Sequence, residues 1–202
     1  MVKWDELPSK ANVEKTISAL VRNGITAELV ENGELAKNRI LELIPEGSEV
    51  MTMTSTTQDT IGVTKILNES GKYKPVRTKL MDKSISPSEK RRYGGGADFV
   101  VGSVHAVTED GKLVIASQSG SQLGAYSYGG GKVIWVVGTQ KIVKSLDEAM
   151  KRIYEYALPL ESERARKAYG VPGSGVNKLL IINKEINPGR LHLIFVNEKL
   201  GF

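Results

Sequence analysis

The chain of 202 residues contains no cysteine. It therefore cannot form a disulfide, use a thiol as a nucleophile, or supply the thiolate ligands of an iron–sulfur cluster or a cysteine-bound zinc ion. Only two histidines are present, and neither has an acidic residue at metal-ligand spacing. We expect no metal site, and we predict that His105, within an apolar run, is a hydrogen-bonded residue near the core.

Long hydrophobic runs are missing as well. The longest apolar runs have about five residues, whereas a helix needs ~20 to span a bilayer. The first ten residues, MVKWDELPSK, carry acidic residues and a proline and lack an apolar centre, which argues against a signal peptide. We therefore expect a cytoplasmic protein without a membrane anchor.

Charge of one sign is not concentrated in any segment. The net charge is +5, and the densest basic cluster is the short run 90–92. Few aromatic residues are interleaved with the basic ones, so we do not expect a nucleic-acid-binding surface. The length and the ordinary content of apolar and charged residues predict a single domain over residues 1–202.

Strand-like and helix-like segments alternate along most of the chain. The first helix is predicted over about residues 8–23, because apolar residues recur there at helical spacing and Gly24 follows as a cap. A strand is predicted over Pro75–Leu80. This alternation predicts an α/β fold with a mainly parallel, Rossmann-like sheet covered by helices on both faces. The last two strands, within about 178–197, are joined by a short turn and are predicted to form an antiparallel pair.

The central stretch, Ala97–Val143, organises the rest of the chain. Its apolar runs are nearly continuous, which is typical of strands that are covered on both faces. These runs are Phe99–Val107, Leu113–Ala116 and Val133–Val137. Two polar, glycine-bearing connections, Thr108–Gly111 and Ser117–Gln122, separate them and hold most of the candidate chemistry.

A hydroxyl-rich loop follows the strand predicted around residues 48–53. A strand that leads into a polar loop and a helix N-terminus is a ready site for an anion, because hydroxyls and backbone N–H groups converge there. The alternative is that these residues only cap the helix. The candidate binding residues are Thr54, Ser55, Thr56 and Gln58.

Glu109 is the candidate catalytic residue. It follows an apolar strand, and a carboxylate at the end of a sheet can act as a nucleophile or a general base. Gly111, two residues later, allows close approach of a ligand. The alternative is a simple hairpin turn in which Asp110 and Gly111 provide the positive φ angles.

The second polar connection offers three hydroxyls, two amides and a flexible glycine in six residues. Such a loop can hydrogen-bond a phosphate, a carboxylate or sugar hydroxyls, or it can simply lead into the next helix. Its candidate binding residues are Ser117, Ser119, Gly120, Ser121 and Gln122. Lys141 could add a cation for an anionic ligand, the alternative being an ordinary surface lysine.

Glycine triples at 94–96 and 129–131 do not match the dinucleotide fingerprint and are predicted to be turns. No nicotinamide site is therefore predicted, although a flavin bound without a motif stays open.

Three segments resemble the LUD domain family, the family of lactate utilization protein C. They are VGSVHAVTEDGKLVIASQSGSQLGAYSYGGGKVIWVVGTQKIV, the following LDEAMKRIYEYALPLESERARKAYG, and the ending VNKLLIINKEINPGRLHLIFVNEKLGF. The resemblance covers most of residues 10–202. It implies the Rossmann-like fold that this family shares with ribose-5-phosphate isomerases, glucosamine-6-phosphate deaminases and CoA transferases.

The resemblance also implies a function. Lactate utilization protein C is associated with two iron–sulfur proteins in the oxidation of L-lactate to pyruvate, so a non-redox accessory or ligand-binding subunit is the first hypothesis, with iron–sulfur proteins as partners. Some relatives carry cysteines near the region matching 171–178, where this chain has none. We therefore expect no cluster of its own, and the cofactor is unknown. A homodimer is expected by analogy, because this fold commonly pairs.

Two alternatives stay open. In the wider superfamily, ligands bind at loops that match Thr54–Gln58, Glu109–Gly111 and Ser117–Gln122 by position, and CoA transferases use a glutamate nucleophile. The chain could therefore be a stand-alone isomerase or acyl/CoA transferase that uses Glu109 on a phosphorylated or thioester substrate. It could also be a protein-interaction module with a vestigial site.

Overall fold

Two β-sheets organise the protein, whose structure, a computed structural model, describes residues 4–202. Residues 1–3, part of the segment on which the signal-peptide prediction rests, lie outside the described residues. The strands are β1 (Thr26–Val30), β2 (Glu49–Thr52), β3 (Lys74–Pro75), β4 (Phe99–Gly102), β5 (Ala106–Thr108), β6 (Leu113–Ser117), β7 (Lys132–Gly138), β8 (Ile142–Val143), β9 (Lys178–Ile182) and β10 (Leu191–Val196). The helices are α1 (Lys10–Arg22), α2 (Gly33–Leu43), α3 (Thr56–Thr60), α4 (Val63–Glu69), α5 (Val76–Met81), α6 (Pro87–Tyr93), α7 (Leu146–Arg152) and α8 (Leu158–Tyr169).

The large sheet has six strands in the order β1-β10-β7-β4-β2-β3, and every pair is parallel. Both of its faces are covered. Trp135 of β7 packs towards α1 and the small sheet, whereas Ile134 and Val136 of the same strand pack towards α2 and α4. The near-continuous apolar runs therefore arise as predicted, and the α/β fold with a mainly parallel sheet is confirmed.

The small sheet has the order β8-β5-β6-β9 and mixes parallel and antiparallel pairs. One face joins the main core through Leu113 and Ile115 of β6. The other face packs against α7 and the π-helical turn Ile153–Ala157, with Val114 next to Ala149 and Ile153. The small sheet thus replaces part of the helical layer that was predicted on this face.

The predicted C-terminal antiparallel pair does not form. Strand β9 instead pairs with β6 in the small sheet, and β10 lies between β1 and β7 in the large sheet. All six residues of β10 are buried, which requires a central position in a sheet covered on both faces. The short connection between β9 and β10 did not make them pair with each other. Strand β10 buries more apolar surface in the centre of the large sheet than it would in a terminal hairpin.

Two other predictions are corrected by the same sheets. The run Phe99–Val107 is split between β4 and β5, which belong to different sheets. The chain leaves the large sheet after Gly102, whose Cα lies so close to the Tyr126 ring that a Cβ would fall 1.7 Å from the Tyr126 hydroxyl. Pro75–Leu80 is mostly helix α5 and not a strand, with Pro75 as its N-cap residue.

The N-terminal helix lies close to its predicted bounds. It begins after Ser9, whose hydroxyl accepts a hydrogen bond from the Asn12 N–H at 3.3 Å, and it ends before Gly24, which has a φ of 80°. No helix within residues 4–202 combines the length and the hydropathy needed to cross a membrane.

Candidate functional site

A cavity of about 280 Å³ opens where several strands of both sheets end. It lies at the carboxyl ends of β2, β4, β6 and β7, the position in which open α/β sheets usually bind ligands. Polar loops form one side, and the turn Ile153–Ala157 and helix α8 contribute the other. The lining includes Thr54, Ser55, Thr56, Thr57, Ser103, Val104, His105, Ser117, Gln118, Ser119, Ser121, Gln122, Tyr126, Lys141, Glu161, Arg164, Tyr169, Val176 and Phe202.

Most of the predicted binding residues meet at this cavity. Two loops and one buried lysine, which lie far apart in the sequence, meet where β2 and β7 of the large sheet and β6 of the small sheet end. The predicted residues among the lining are Thr54, Ser55, Thr56, Ser117, Ser119, Ser121, Gln122 and Lys141. The side chains of the hydroxyl-rich loop therefore line a cavity directly before helix α3.

Gln58 and Gly120 shape the two loops without lining the cavity. The buried Gln58 side chain donates to the Met53 carbonyl at 3.1 Å, which holds the first loop from behind. Gly120 has a φ of 85°, and its N–H donates to the Ser117 hydroxyl at 2.9 Å. Both residues have supporting positions.

Glu109 and Gly111 lie elsewhere. The Glu109 carboxylate accepts from the Lys15 ammonium of α1 at 2.6 Å, and neither Glu109 nor Gly111 lines the cavity. Asn23 at the end of α1 donates to the carbonyls of Asp110 and Gly111, at 3.0 Å each. The connection is a turn between β5 and β6 that packs on α1, at the opposite end of β6 from Ser117.

Lys141 is buried, with only 2% of its surface exposed, so the alternative of a surface lysine is wrong. The short 3₁₀ turn Thr139–Lys141 after β7 directs it to the cavity. Its Nζ lies 3.2 Å from each of three uncharged oxygens, the Thr57 and Ser103 hydroxyls and the Val104 carbonyl. Burial lowers the pKa of Lys141 well below its ordinary value, and the positive charge of Arg152 adds to the effect.

Arg152 is a residue that the sequence reasoning missed. It lies at the end of α7 and is completely buried. Its Nη1 donates to the His105 carbonyl at 2.6 Å, but Nε and Nη2 have no hydrogen-bond partner. Burial lowers its pKa to about 10. A signal was present, since Arg152 shares the apolar face of its helix with Ala149 and Ile153.

His105 is neutral. Its Nδ1 accepts the Ala116 N–H at 3.1 Å, so the ring proton is on Nε2. Burial, and secondarily the charges of Lys141 and Arg152, lower its pKa from 6.5 to about 3. The prediction of a hydrogen-bonded residue near the core is confirmed, and this residue also lines the cavity.

Uncompensated positive charge is the main electrostatic feature of this region. Within residues 4–202, no carboxylate forms an ion pair with Lys141 or Arg152. The one acidic side chain of the lining, Glu161, is held by two 2.7 Å hydrogen bonds from Arg164. In the same part of the chain, no three His, Asp or Glu side chains converge as a metal site would require. The arrangement suits a small anion.

Comparisons with known proteins agree with this fold. No curated protein matches the chain. A crystal structure of a DUF162 family protein from Deinococcus radiodurans has a similar fold, with 14% sequence identity and a TM-score of 0.57 over 95% of this chain and 100% of that one. The sequence profile of the LUD domain matches residues 13–196, nearly the whole chain, and the protein therefore belongs to the LUD domain family.

Proposed function

We propose that this LUD domain binds a small organic acid in the cavity and acts as a non-redox ligand-binding subunit in lactate utilization. The observation that carries the proposal is Lys141, a buried lysine that lines the cavity and has no carboxylate partner in the described chain. Arg152 is a second buried cation of the same region but does not itself line the cavity. Membership of the LUD domain family supports the link to lactate utilization at the level of the family.

The energetics of burial favour an anionic ligand. A buried charge is costly unless it is paired, and Lys141 at the wall of the cavity has only uncharged oxygens around its Nζ. A bound carboxylate supplies the missing negative charge and favours the charged form of Lys141. The hydroxyls of Ser119 and Ser121 add neutral donors on the opposite loop.

The size of the cavity limits the ligand. Drug-sized ligands occupy pockets of roughly 300–1,000 Å³, and this cavity has about 280 Å³. A three-carbon acid such as lactate or pyruvate fits with room for ordered water. A partner would have to carry the electrons of any lactate oxidation through iron–sulfur clusters, because this chain has no cysteine to ligate one.

Thermal unfolding in the presence of ligands tests the proposal. The panel contains L-lactate, pyruvate, ribose 5-phosphate, CoA and inorganic phosphate. A ligand at about 100 times its Kd adds ~2.7 kcal/mol to the free energy of unfolding. We expect L-lactate or pyruvate to stabilise the protein and the Lys141→Met variant to lose this stabilisation.

Lys15→Met is the matched control, since Lys15 is an exposed lysine that faces Glu109 and not the cavity. It should keep the full stabilisation by the acid. Ser121→Ala provides a second cavity variant with a smaller change. The proposal fails if no compound stabilises the protein, or if Lys141→Met responds to the acids as the unmodified protein does.

A further inference from the structure

His105 is held in one orientation by three hydrogen bonds. Its backbone N–H donates to the Val114 carbonyl at 3.0 Å, and its own carbonyl accepts from the buried Arg152 at 2.6 Å. On the ring, Nδ1 accepts the Ala116 N–H at 3.1 Å. The backbone and the ring are therefore fixed before a ligand binds, as a precise contact requires.

The other ring nitrogen of His105 is open to the cavity. Since Nδ1 is an acceptor, the ring is the neutral tautomer that carries its proton on Nε2. Within residues 4–202 this N–H has no acceptor, and it is not sealed in the core as Nε and Nη2 of Arg152 are. Because His105 lines the cavity, a ligand there can reach the N–H.

This N–H is more selective than the hydroxyls around it. The hydroxyls of Ser55 and Ser121, which also line the cavity, can rotate and either donate or accept, so they fit many polar ligands. The imidazole N–H can only donate, and its direction is fixed. It requires a ligand atom with a lone pair, such as a carbonyl or hydroxyl oxygen.

Lys141 brings the acid to this point. Its Nζ lies 3.2 Å from the carbonyl of Val104, the residue before His105, so the ammonium and the imidazole ring are close together. Both groups line the cavity. A carboxylate that compensates the charge of Lys141 therefore places its neighbouring carbon, carbon 2 of the acid, on the side of His105.

We propose that His105 selects the substituent on carbon 2 of the bound acid, so that the cavity takes 2-oxo and 2-hydroxy acids and rejects unsubstituted and 2-amino acids. This inference rests on the proposed function, because the cavity must first bind the carboxylate. A 2-oxo or 2-hydroxy group offers a lone pair to the Nε2–H. A methylene group offers none, and an ammonium group offers only donors and is repelled by Lys141.

Four acids of equal carbon number test the selection. Pyruvate, L-lactate, propionate and L-alanine are titrated into the protein at neutral pH by isothermal calorimetry. We expect pyruvate and L-lactate to bind roughly tenfold more tightly than propionate, the effect of one hydrogen bond to an otherwise unpaired donor. L-alanine should bind more weakly than propionate. Equal affinities for propionate and pyruvate, or for L-alanine and L-lactate, would overturn the inference.

Two histidine variants assign the selection to one ring. Asparagine carries its Oδ1 close to the position of Nδ1, so His105→Asn keeps an acceptor for the Ala116 N–H but removes the donor at Nε2. It should weaken pyruvate to the affinity of propionate and leave propionate within about twofold. His192→Asn is the matched control, because the His192 ring contacts Glu28 at 2.5 Å and does not line the cavity. That variant should keep the preference for pyruvate.

Nitrogen NMR of the unmodified protein gives a test that does not depend on the folding of a variant. The ¹⁵N shifts of His105 should show the proton on Nε2. The Nε2 signal should move when pyruvate binds and stay in place with propionate. A proton on Nδ1, or the same shift with both acids, would contradict the contact.

The possible results separate this inference from the proposed function. If propionate binds as tightly as pyruvate and Lys141→Met loses both acids, the selection by His105 is wrong and the anion site stands. If none of the four acids binds, both proposals fail.

Discussion

Two polar connections on either side of β6 differ in what they do, although their sequences look alike. The Thr108–Gly111 turn precedes the strand and packs on α1, with Glu109 paired to Lys15. The Ser117–Gln122 loop follows the strand and lines the cavity. Both are rich in polar residues and contain a glycine with positive φ.

The comparison shows that charge pairing distinguishes the two regions better than polarity. At the turn, the Glu109 carboxylate accepts from the Lys15 ammonium at 2.6 Å, and the Asn23 amide donates to the carbonyls of Asp110 and Gly111. At the cavity, Lys141 is buried without a carboxylate partner in the described chain. An unbalanced buried charge in a cleft indicates a functional site, whereas a balanced one at the surface indicates packing.

The largest difference between the two connections is expected when the positive-φ glycine of each is replaced by alanine and the loss of stability is compared. Gly111 has a φ of 83°, and a Cβ there would lie 2.7 Å from the Ala19 carbonyl carbon and 2.8 Å from the Leu20 nitrogen of α1. An alanine costs roughly 1–2 kcal/mol for the left-handed backbone and a further 1–3 kcal/mol for the overlap with a helix backbone that cannot move aside. We expect Gly111→Ala to lower the free energy of unfolding by about 3 kcal/mol in urea denaturation.

Gly120→Ala is the matched variant at the cavity. Its φ is 85°, but the atom nearest to the new Cβ, at 2.6 Å, belongs to the flexible side chain of Lys178. The Lys178 side chain can move aside, so only the backbone strain of roughly 1–2 kcal/mol is left. Equal losses in the two variants would contradict the packing of the turn against α1.

The pH dependence of stability should separate the two regions next. The pKa of His105 is about 3 in the folded protein because of burial, against 6.5 when exposed. The unfolded chain therefore binds a proton below pH 6.5 that the native protein does not, and stability falls as the pH falls from 6.5 towards about 3. The expected slope is about 1.4 kcal/mol per pH unit.

His105→Gln removes this titration and keeps an acceptor for the Ala116 N–H. Between pH 6.5 and 4.5, above the range of most carboxylates, the variant should lose roughly 2–3 kcal/mol less stability than the unmodified protein. Burial also lowers the pKa of His192, so His192→Gln should flatten the same range to a smaller extent. An unchanged slope in His105→Gln would show that His105 is not buried as a neutral ring.

The sequence predicted the parts of the structure that depend on local patterns. Continuous apolar runs predicted the parallel sheet, and the polar loop after β2 predicted one part of the cavity, since parallel strands bring their carboxyl ends together. The Ser117–Gln122 loop reaches the cavity from β6, whose pairs in the small sheet are antiparallel. The pairing partners of β9 and β10 depend on which distant strand buries them best. The short connection between the two strands does not predict that choice. The burial of Lys141 and Arg152 likewise requires the tertiary packing of α7 over the small sheet.

The smallest effect is expected for Glu109→Gln. The ion pair with Lys15 is partly exposed, since 63% of the Lys15 side chain and 15% of the Glu109 side chain are accessible to solvent. Such a pair contributes about 0.2–1 kcal/mol, so the variant should unfold within about 1 kcal/mol of the unmodified protein, and the double variant with Lys15→Met should add little more. Stabilisation by the organic acid should be unchanged, because Glu109 does not line the cavity. A loss of that stabilisation in Glu109→Gln would contradict the assignment of the ligand to the cavity. It would place the ligand at the turn on α1, with Glu109 and not Lys141 as the residue that binds it.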